Sequence, residues 1–507
     1  MDSNLASKIE VEEPLAEQSW ERLPFTFAQS NGVVLNFDTH PISVVHRQNL
    51  SLCILLEVQR FLKRPFQMQE VSDEAFQRLL TSSYQRDNNE AVQMAEDMGD
   101  DIDLSRLADE MPEASDLMDS ENDAPVIRLI NAILSQAVRE QASDIHIETF
   151  EERLIVRFRV DGVMREVLSP KRMLAPLLIS RLKVMAKLDI AEKRIPQDGR
   201  ISIKLAGHAV DIRVSTLPSV HNERVVLRLL DKQAGQLQLD QLRMNDQVLH
   251  QFEEALASPH GIVLITGPTG SGKTTTLYAG LTEINDSSRN ILTIEDPVEY
   301  LLSGIGQTQV NTKVDMTFAR GLRAILRQDP DVMMVGEIRD VETADIAVQA
   351  SLTGHLVLST LHTNTAVGAI TRLRDMGVEP FLLSSSLIMV IAQRLVRLLC
   401  PYCKEEAVAC EAECQQMSVE PKDDLKVCRS VGCDHCNQSG YRGRTGIYEV
   451  IDINDQLRRM IHDDASEQDM LEVARQHSKG ILENGWQRVL AGDTSIAEVL
   501  RVNAKNG

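Results

Sequence analysis

The chain is 507 residues long, and because a single hydrophobic core does not grow to this size, the length predicts about three domains. Its formal net charge of −22 and its aromatic content of 4% argue against nucleic acid as a partner. A phosphate backbone attracts basic surfaces, and unpaired bases stack on aromatic rings. We therefore expect no nucleic acid among the partners.

The sequence also argues against secretion and membrane insertion. Residues 1–20 are acidic and lack the basic start and apolar stretch of a signal peptide. The longest apolar candidate, Phe381–Ala392, contains three serines and is too short to span a bilayer. We expect a cytoplasmic protein that reaches a membrane through a partner. In that reducing compartment, eight cysteines favour metal binding over disulfides.

Residues 1–95 predict a small N-terminal domain. Apolar spacing indicates a helix over Leu50–Leu62. Ser72, followed by Asp73 and Glu74, indicates the N-cap of a second helix with acidic residues in its first turn. Nothing in this domain carries catalytic chemistry, and its place ahead of a charged segment suggests a docking module.

Residues 96–122 predict an acidic linker. Together with Asp123 they carry twelve acidic residues against one arginine, which accounts for half of the net charge of −22. Like charges at this density repel one another and resist packing, so the linker is expected to be mobile. An exposed acidic helix around Leu104–Met118 is the alternative.

Residues 123–243 predict an α+β domain. Asp123 caps a predicted helix whose apolar face consists of Val126, Ile127, Ile130, Ile133, Leu134, Ala137 and Val138. Residues 154–160 alternate apolar and polar side chains, and Asp161-Gly162 supplies a hairpin turn into a second strand at 163–168. Further alternating strands are predicted at 201–205, 210–214 and 224–230.

Residues 244–395 alternate predicted strands with helices, which is typical of a parallel sheet covered by helices on both faces. The strands are predicted at Gly261–Thr266, Asn290–Ile294, Val332–Val335 and Leu356–Thr360. Residues 262–276 contain the pattern G-x-x-x-x-G-K-[ST], placed between a buried strand and a helix predicted over Lys273–Leu281. This pattern in this context predicts a phosphate loop.

The phosphate loop indicates that the chain binds a nucleoside triphosphate. Glycines let backbone N–H groups close on the phosphates, and the helix N-terminus adds a partial positive charge. Lys273 can reach the β- and γ-phosphates, and the Thr274 hydroxyl can ligate Mg²⁺. The expected nucleotide contacts are Gly267, Pro268, Thr269, Gly270, Ser271, Gly272, Lys273, Thr274 and Thr275.

Hydrolysis also requires an acidic group that holds Mg²⁺ or orients water. One buried strand is followed by Gly336-Glu337, which matches a Walker B element in which the acid is Glu and a glycine intervenes. Another strand is followed by Glu295, Asp296 and Glu299. Either Glu295 or Glu337 can orient the attacking water while the other acts on Mg²⁺, and spacing does not choose between them. An ordinary ion pair at a strand end is the alternative for the Walker B acid.

Two histidines, His355 and His362, flank the strand predicted at 356–360. We interpret both as residues of the nucleotide site, because they lie at the ends of a central strand. Their role would be to sense the γ-phosphate or to couple the site to motion. A structural histidine is the alternative for each.

In this order, the blocks resemble the secretion and pilus ATPase superfamily. They are the phosphate loop, the acidic box at Asn290–Tyr300, the Gly-Glu Walker B variant and the His box at Thr353–Asn364. Ala142–Glu148 and Pro196–Arg200 resemble signatures of the α+β domain in the extension ATPases. Leu23–Ala28 is similar to the start of type II secretion ATPases, the general secretion pathway E class.

The resemblance implies an α/β fold, with a RecA-like P-loop NTPase domain preceded by a PAS-like α+β domain and a small docking domain. It also implies a homo-hexamer in which ATP hydrolysis at subunit interfaces moves one domain against the other. Carried over by motif, Lys273 and Thr274 hold phosphates and Mg²⁺. Glu337 acts near Mg²⁺, and Glu295 activates water.

Members of the superfamily also use arginines on the γ-phosphate. Arg213 and Arg228 in the α+β domain are the matching positions. Further arginines nearer the core are Arg323, Arg327 and Arg339. A surface ion pair is the alternative for each arginine.

The resemblance further implies a cytoplasmic ATPase, peripheral on the inner membrane, that drives pseudopilus assembly and protein export by a type II secretion system. Its N-terminal domain would bind a bitopic inner-membrane secretion protein, and a polytopic inner-membrane platform protein would be a second partner. A type IV pilus extension ATPase is the nearest alternative, since it would share every catalytic motif. A RecA-like nucleic-acid translocase and a nucleotide-gated module with negligible turnover are more distant alternatives.

Residues 396–445 are rich in cysteine and precede a region, 446–507, that is predicted to be mainly helical. Two C-x-x-C pairs separated by 29 residues are formed by Cys400 with Cys403 and by Cys433 with Cys436. Four thiolates suit tetrahedral Zn²⁺, and a closed site of this kind is structural. We expect a tetracysteine zinc subdomain, as the resemblance also implies. Other candidate ligands are Cys410, Cys414, Cys428 and His435.

Overall fold

The computed structural model of the chain describes residues 124–205, 208–231, 237–420 and 425–503, and parts of 23–80. The chain divides into two compact units, residues 1–230 and residues 231–507. Within the described residues, no helix is long and apolar enough to cross a membrane. The predicted acidic linker and the first twenty residues lie outside the described part of the chain.

The N-terminal part of the first unit is a small sheet with a helix. Its elements are β1 (Val33–Asn36), β2 (Ser43–His46), α1 (Leu52–Leu62) and β3 (Gln67–Glu70). Strand β2 pairs antiparallel with β1 and parallel with β3. The Ser72 hydroxyl accepts a hydrogen bond from the Ala75 N–H at 3.4 Å, so the predicted N-cap is confirmed.

The rest of the first unit is an α+β domain. Its elements are α2 (Ala124–Arg139), β4 (Asp144–Thr149), β5 (Leu154–Val160), β6 (Val163–Leu168), α3 (Ala175–Met185), β7 (Gln197–Leu205), β8 (His208–Leu217) and β9 (Arg224–Asp231). Six strands form one sheet in the order β6-β5-β4-β9-β8-β7. Asp161 and Gly162 have φ angles of 49° and 79°, the left-handed pair that a two-residue hairpin turn needs. The predicted hairpin is confirmed.

The second unit contains a larger sheet. Its strands are β10 (Gly261–Thr266), β11 (Ile291–Glu295), β12 (Gly306–Gln309), β13 (Val332–Val335), β14 (Leu356–Leu361), β15 (Leu387–Leu399), β16 (Glu405–Val408), β17 (Lys426–Arg429) and β18 (Tyr441–Asp452). Seven of these described strands form one sheet, in the order β12-β11-β13-β14-β10-β15-β18. Neighbouring strands of this sheet pair in parallel, except that β15 and β18 are antiparallel. The predicted fold class, an α/β nucleotide-binding domain preceded by an α+β domain, is confirmed.

Helices cover both faces of this sheet. The described helices of the second unit are α4 (Asp246–Leu256), α5 (Lys273–Glu283), α6 (Phe318–Ile325), α7 (Val341–Leu352), α8 (Ala366–Asp375), α9 (Pro380–Ser386), α10 (Glu411–Gln416), α11 (Asp455–His462), α12 (Glu467–Ala474), α13 (Ile481–Leu490) and α14 (Ile496–Asn503). Successive residues of β10 enter different cores, Ile262 and Leu264 on one face and Val263 and Ile265 on the other. A strand buried on both faces reads as a continuous apolar run, which is why its sequence pattern was clear.

Two predicted boundaries fall inside strands. Strand β15 passes through the boundary at 395/396, and β18 passes through that at 445/446. These two strands pair with each other in the large sheet, so the cysteine-rich segment is an insertion between neighbouring strands. The apolar stretch 381–392 contributes to α9 and to β15.

Candidate functional site

The phosphate loop follows β10, which lies between β14 and β15 in the large sheet. Gly267 has a φ angle of 151°, and a Cβ atom there would lie 2.4 Å from the Gln393 carbonyl oxygen of β15. Gly272, with a φ angle of 87°, is the left-handed N-cap of α5. Both positions therefore require glycine, and they fix the path of the loop into the helix.

The Lys273 side chain lies under the loop. It is 8% exposed, and its Nζ donates hydrogen bonds to the carbonyl oxygens of Gly267 at 2.8 Å and Pro268 at 3.3 Å. Burial lowers the pKa of Lys273 to about 8, against the opposing effect of the Glu337 charge. Thr274 is exposed beside it, at the start of α5.

A chain of contacts joins Lys273 to the Walker B acid through a histidine. His362 Nδ1 lies 3.5 Å from Lys273 Nζ, and its Nε2 lies 3.3 Å from a Glu337 carboxylate oxygen. An ammonium group only donates, so Nδ1 accepts and Nε2 carries the proton toward Glu337. Burial and the Lys273 charge lower the pKa of His362, which favours this neutral form. Arg339 also pairs with Glu337, and this hydrogen bond raises the pKa of Arg339.

Glu295 ends β11 beside the strand that leads to Glu337. The register pairs Ile294 with Val335, and the Gly336 N–H donates to the Ile294 carbonyl at 2.8 Å. The two strand ends therefore lie side by side in the sheet. Glu295 is only 3% exposed, whereas the Glu337 side chain is 17% exposed.

The Glu295 carboxylate is surrounded by neutral donors. One oxygen accepts from the Thr293 hydroxyl at 2.5 Å and from the Gln307 amide at 3.1 Å. The other accepts from the Tyr278 hydroxyl of α5. Burial and the Glu295 charge raise the pKa of Tyr278 well above its ordinary value, so this hydroxyl keeps its proton.

Sequence reasoning did not identify Tyr278, Thr293 or Gln307 as residues of the site. Tyr278 is fully buried on α5. A tyrosine on the buried face of the helix that follows a phosphate loop was the available signal, because a buried hydroxyl needs a hydrogen-bond partner. Thr293 and Gln307 carried no comparable signal, since their role depends on how β11 and β12 pair.

The structure does not bring His355 to the phosphate loop. The register pairs Gly261 with Leu356, so His355 precedes β14 at the edge of the sheet where β10 begins. The loop follows Thr266 at the other end, roughly 17 Å away for strands of this length. The His355 ring instead lies 2.9 Å from the Ala350 carbonyl oxygen at the end of α7. The structure therefore does not support the interpretation of His355 as a nucleotide contact.

The predicted arginines belong to both units. Arg213 lies on β8 and Arg228 on β9 of the first unit, where Arg228 Nε donates to Asp144 at 2.8 Å. In the second unit, Arg323 pairs with Glu342 at 2.6 Å. Arg327 donates to the Arg323 carbonyl at 2.9 Å. Of the arginines named from sequence, Arg339 contacts an acidic residue of the site.

The two C-x-x-C pairs meet at the base of the insertion between β15 and β18. The sulfur atoms of Cys400, Cys403, Cys433 and Cys436 all lie within 4.8 Å of one another. Three of the sulfur pairs are 3.8 or 3.9 Å apart, close to the roughly 3.8 Å edge of a tetrahedron of thiolates about Zn²⁺. The predicted four-cysteine cluster is confirmed, and its geometry fits a structural metal ion.

The other candidate ligands are not part of this cluster. His435 stacks on the Tyr402 ring, with ring centroids 4.3 Å apart. Cys410 is exposed at the N-cap of α10, and Cys414 is buried in the apolar core of the second unit. Within the described residues, the four C-x-x-C cysteines form the one group of three or more His, Cys, Asp or Glu side chains placed closely enough to share a metal ion.

A glycine-rich loop after a central parallel strand, a buried lysine beneath it and acids at the ends of two other parallel strands define a P-loop nucleotide-hydrolysing enzyme. Comparison with known families places the chain more closely. Residues 119–501 match the family described as type II/IV secretion system protein, and residues 22–84 match the model of an N-terminal domain of GSPII protein E. The chain belongs to the type II/IV secretion system protein family.

Relatives of almost the same length support this family assignment. The chain is 62% identical over 481 residues to type II secretion system protein E of Pseudomonas aeruginosa, covering 95% of this chain and 96% of that one. It is 58% identical over 496 residues to type II secretion system ATPase E of Vibrio cholerae, covering 97% and 99%. The predicted class, a secretion ATPase, is confirmed.

Among solved structures, the ATPase DotB of Legionella pneumophila superposes with a TM-score of 0.56 at 21% identity. The match covers 75% of this chain and 96% of DotB. At this identity the likeness supports the fold.

Proposed function

We propose that the chain is the hexameric ATPase that powers pseudopilus assembly and protein export in a type II secretion system, on the cytoplasmic side of the inner membrane. The observation that carries the proposal is the contact chain Lys273–His362–Glu337 beneath a phosphate loop. In this contact chain Lys273 is a cation for the phosphates and Glu337 is an acid for a metal ion, and the two lie close together. The chain also belongs to the secretion family. The match of residues 22–84 to an N-terminal domain of protein E favours type II secretion over pilus extension.

In the proposed site, the backbone N–H groups of Gly267–Thr275 hold the phosphates and Lys273 neutralises their charge. Thr274 and Glu337 would hold Mg²⁺, whose charge would polarise the phosphates. One ring nitrogen of His362 contacts Lys273 and the other contacts Glu337, so the histidine holds these two side chains in fixed positions. Glu295 would orient the attacking water.

We further propose that Arg213 and Arg228 donate to the γ-phosphate in the assembled, closed state of the hexamer. A cation added as phosphoryl charge develops can change turnover by orders of magnitude. Hydrolysis should then depend on assembly, so specific activity should rise with protein concentration. A dilute monomer with full activity would contradict this part of the proposal.

The direct test is phosphate release by the full chain with Lys273→Ala. Removal of the amine should abolish measurable hydrolysis. The matched control is Lys313→Ala, which removes an exposed lysine of the same unit and should leave turnover unchanged. Hydrolysis that survives Lys273→Ala would exclude the proposed site.

We propose Zn²⁺ as the metal of the four-cysteine cluster, where it would link the end of β15 to the start of β18. The purified chain should contain about one zinc ion, as a closed four-thiolate site requires. Cys400→Ser should remove the zinc and lower the melting temperature, whereas Cys410→Ser, outside the cluster, should change neither. Full stability of Cys400→Ser without zinc would contradict a structural metal.

The proposed partners are a bitopic inner-membrane protein at the N-terminal domain and a polytopic platform protein. This arrangement would hold the ATPase at the membrane without a spanning helix of its own in the described residues. Full-length chain should copurify with a secretion membrane protein, and removal of residues 1–95 should end this association. Retention of the partner after that truncation would contradict the docking role.

A further inference from the structure

The Glu295 carboxylate is held by donors from three different elements. Thr293 lies on β11 itself, Gln307 on the neighbouring strand β12, and Tyr278 on α5. A buried carboxylate is costly unless its oxygens are hydrogen-bonded. Here both oxygens have donors, and none of the donors carries a charge. These hydrogen bonds offset the cost of burying the carboxylate, and they also fix its direction.

The donors are themselves fixed by the chain around them. The Tyr278 hydroxyl accepts from the Glu299 N–H at 3.4 Å and from the Gln307 amide at 3.3 Å. The Gln307 side-chain oxygen accepts from the Leu302 N–H at 2.7 Å. Tyr278 also packs edge-to-face against the Tyr300 ring, with centroids 4.6 Å apart. Tyr278 and Gln307 therefore have little freedom to turn away from Glu295.

Tyr278 also connects the acid to the phosphate loop. It lies on α5, the helix that begins with Lys273 and Thr274. Tyr278 lies little more than one turn beyond these residues, and a rigid helix holds side chains at that spacing in fixed relative positions. The direction of the Glu295 carboxylate is thus tied to the position of the phosphate-binding residues.

We propose that Tyr278 and Gln307 are positioning residues that aim the Glu295 carboxylate at the attacking water. The proposal rests on the role of Glu295 in the proposed function. Neither side chain needs to contact ATP or the reacting atoms. Loss of the Tyr278 hydroxyl leaves one carboxylate oxygen without its donor, and loss of Gln307 leaves the other oxygen held by Thr293 alone. Small misplacements of a catalytic group are costly in rate.

The test is steady-state kinetics and nucleotide binding of the full chain with Tyr278→Phe. Phenylalanine keeps the buried ring and removes the hydroxyl. The expected result is a kcat lowered about tenfold to a hundredfold, with KM and the ATP dissociation constant within about twofold of the parent chain. Gln307→Leu, which removes the second donor from another element, should lower kcat in the same selective way.

Tyr448→Phe is the matched control. Tyr448 is also buried in the second unit, and its hydroxyl donates to the Leu242 carbonyl at 3.2 Å, away from Glu295. This variant should lose comparable thermal stability and keep the parent kcat. A parent-like kcat in both Tyr278→Phe and Gln307→Leu would overturn the inference, and so would a fall in kcat matched by weaker ATP binding.

Glu295→Gln separates the two levels of the argument. If Glu295→Gln is inactive while Tyr278→Phe and Gln307→Leu turn over normally, the positioning role fails and the proposed role of Glu295 stands. If Glu295→Gln itself keeps the parent kcat, both fail. Inactivity of Glu295→Gln together with selective kcat losses in the two positioning variants supports both.

Discussion

The ends of β11 and β13 lie side by side in one sheet, yet they hold their carboxylates in different ways. At the end of β11, Glu295 is buried among neutral hydrogen-bond donors. After β13, Glu337 is more exposed and contacts His362 and Arg339, within reach of Lys273. Two acids of the same chemistry are thus placed in a neutral setting and in a charged one.

This difference separates two tasks that the sequence left interchangeable. A carboxylate in a charged cluster next to the phosphate-binding lysine would suit a ligand of Mg²⁺. A carboxylate aimed by fixed neutral donors suits a single defined contact, such as one with a water molecule. Environments that differ around paired acids commonly divide their roles in this manner.

The largest effect is expected for Glu295→Gln. The amide keeps the size of the side chain and cannot accept a proton, so kcat should fall by about a hundredfold or more. ATP binding should change little, because Glu295 does not lie under the phosphate loop. The measurement is kcat beside ATP affinity, with Glu283→Gln, an exposed glutamate at the end of α5, as the control. Equal losses of affinity and turnover would break the division of roles.

A second effect is expected for Glu337→Gln in the response to magnesium. Loss of a charged ligand should raise the Mg²⁺ concentration for half-maximal activity by about tenfold or more. Glu295→Gln should leave this concentration unchanged in whatever activity remains. Titration of activity with MgCl₂ at fixed ATP makes the comparison. A parent-like magnesium requirement in Glu337→Gln would assign the metal to another residue.

The smallest effect concerns pH and the charged side of the comparison. Burial lowers the pKa of Lys273 to about 8. As the pH rises through this value, the free enzyme loses the cation that attracts phosphate, so kcat/KM should fall. At saturating ATP the bound phosphates keep the amine protonated, and kcat should hold. A kcat/KM that stays level well above this pKa would show that the lysine remains charged.

Much of the fold could be predicted from the sequence, because the local residue patterns agree with the strands and helices that form. The strands at Leu154–Val160, Val163–Leu168 and Val332–Val335 begin and end where alternation or apolar runs predicted. The four cysteines also met as their spacing predicted. The predicted boundary at 395/396 falls inside β15, because the polar pair Gln393-Arg394 has the pattern of the end of an apolar segment. Both are buried in the structure, where Arg394 donates to the Val502 carbonyl at 2.8 Å.

The site could be predicted only in part, because its composition depends on how the strands are arranged in the sheet. Both histidines flank one strand, but in a parallel sheet the phosphate loop lies at one edge, so His362 joins the site and His355 does not. Strand direction was sufficient to make this distinction from sequence. The partners of Glu295 come from segments on either side of it in the chain, 17 residues earlier and 12 later. Such partners depend on strand pairing and helix packing, which local pattern does not determine.

The most direct test of the central claim, that the two acids divide catalysis and metal binding, is the nucleotide retained by each purified variant. Parent chain, Glu295→Gln and Glu337→Gln are incubated with ATP and MgCl₂, freed of unbound nucleotide and analysed by chromatography. We expect ADP on the parent chain, unhydrolysed ATP on Glu295→Gln and little nucleotide on Glu337→Gln. ATP trapped on Glu337→Gln with ADP on Glu295→Gln would contradict the account.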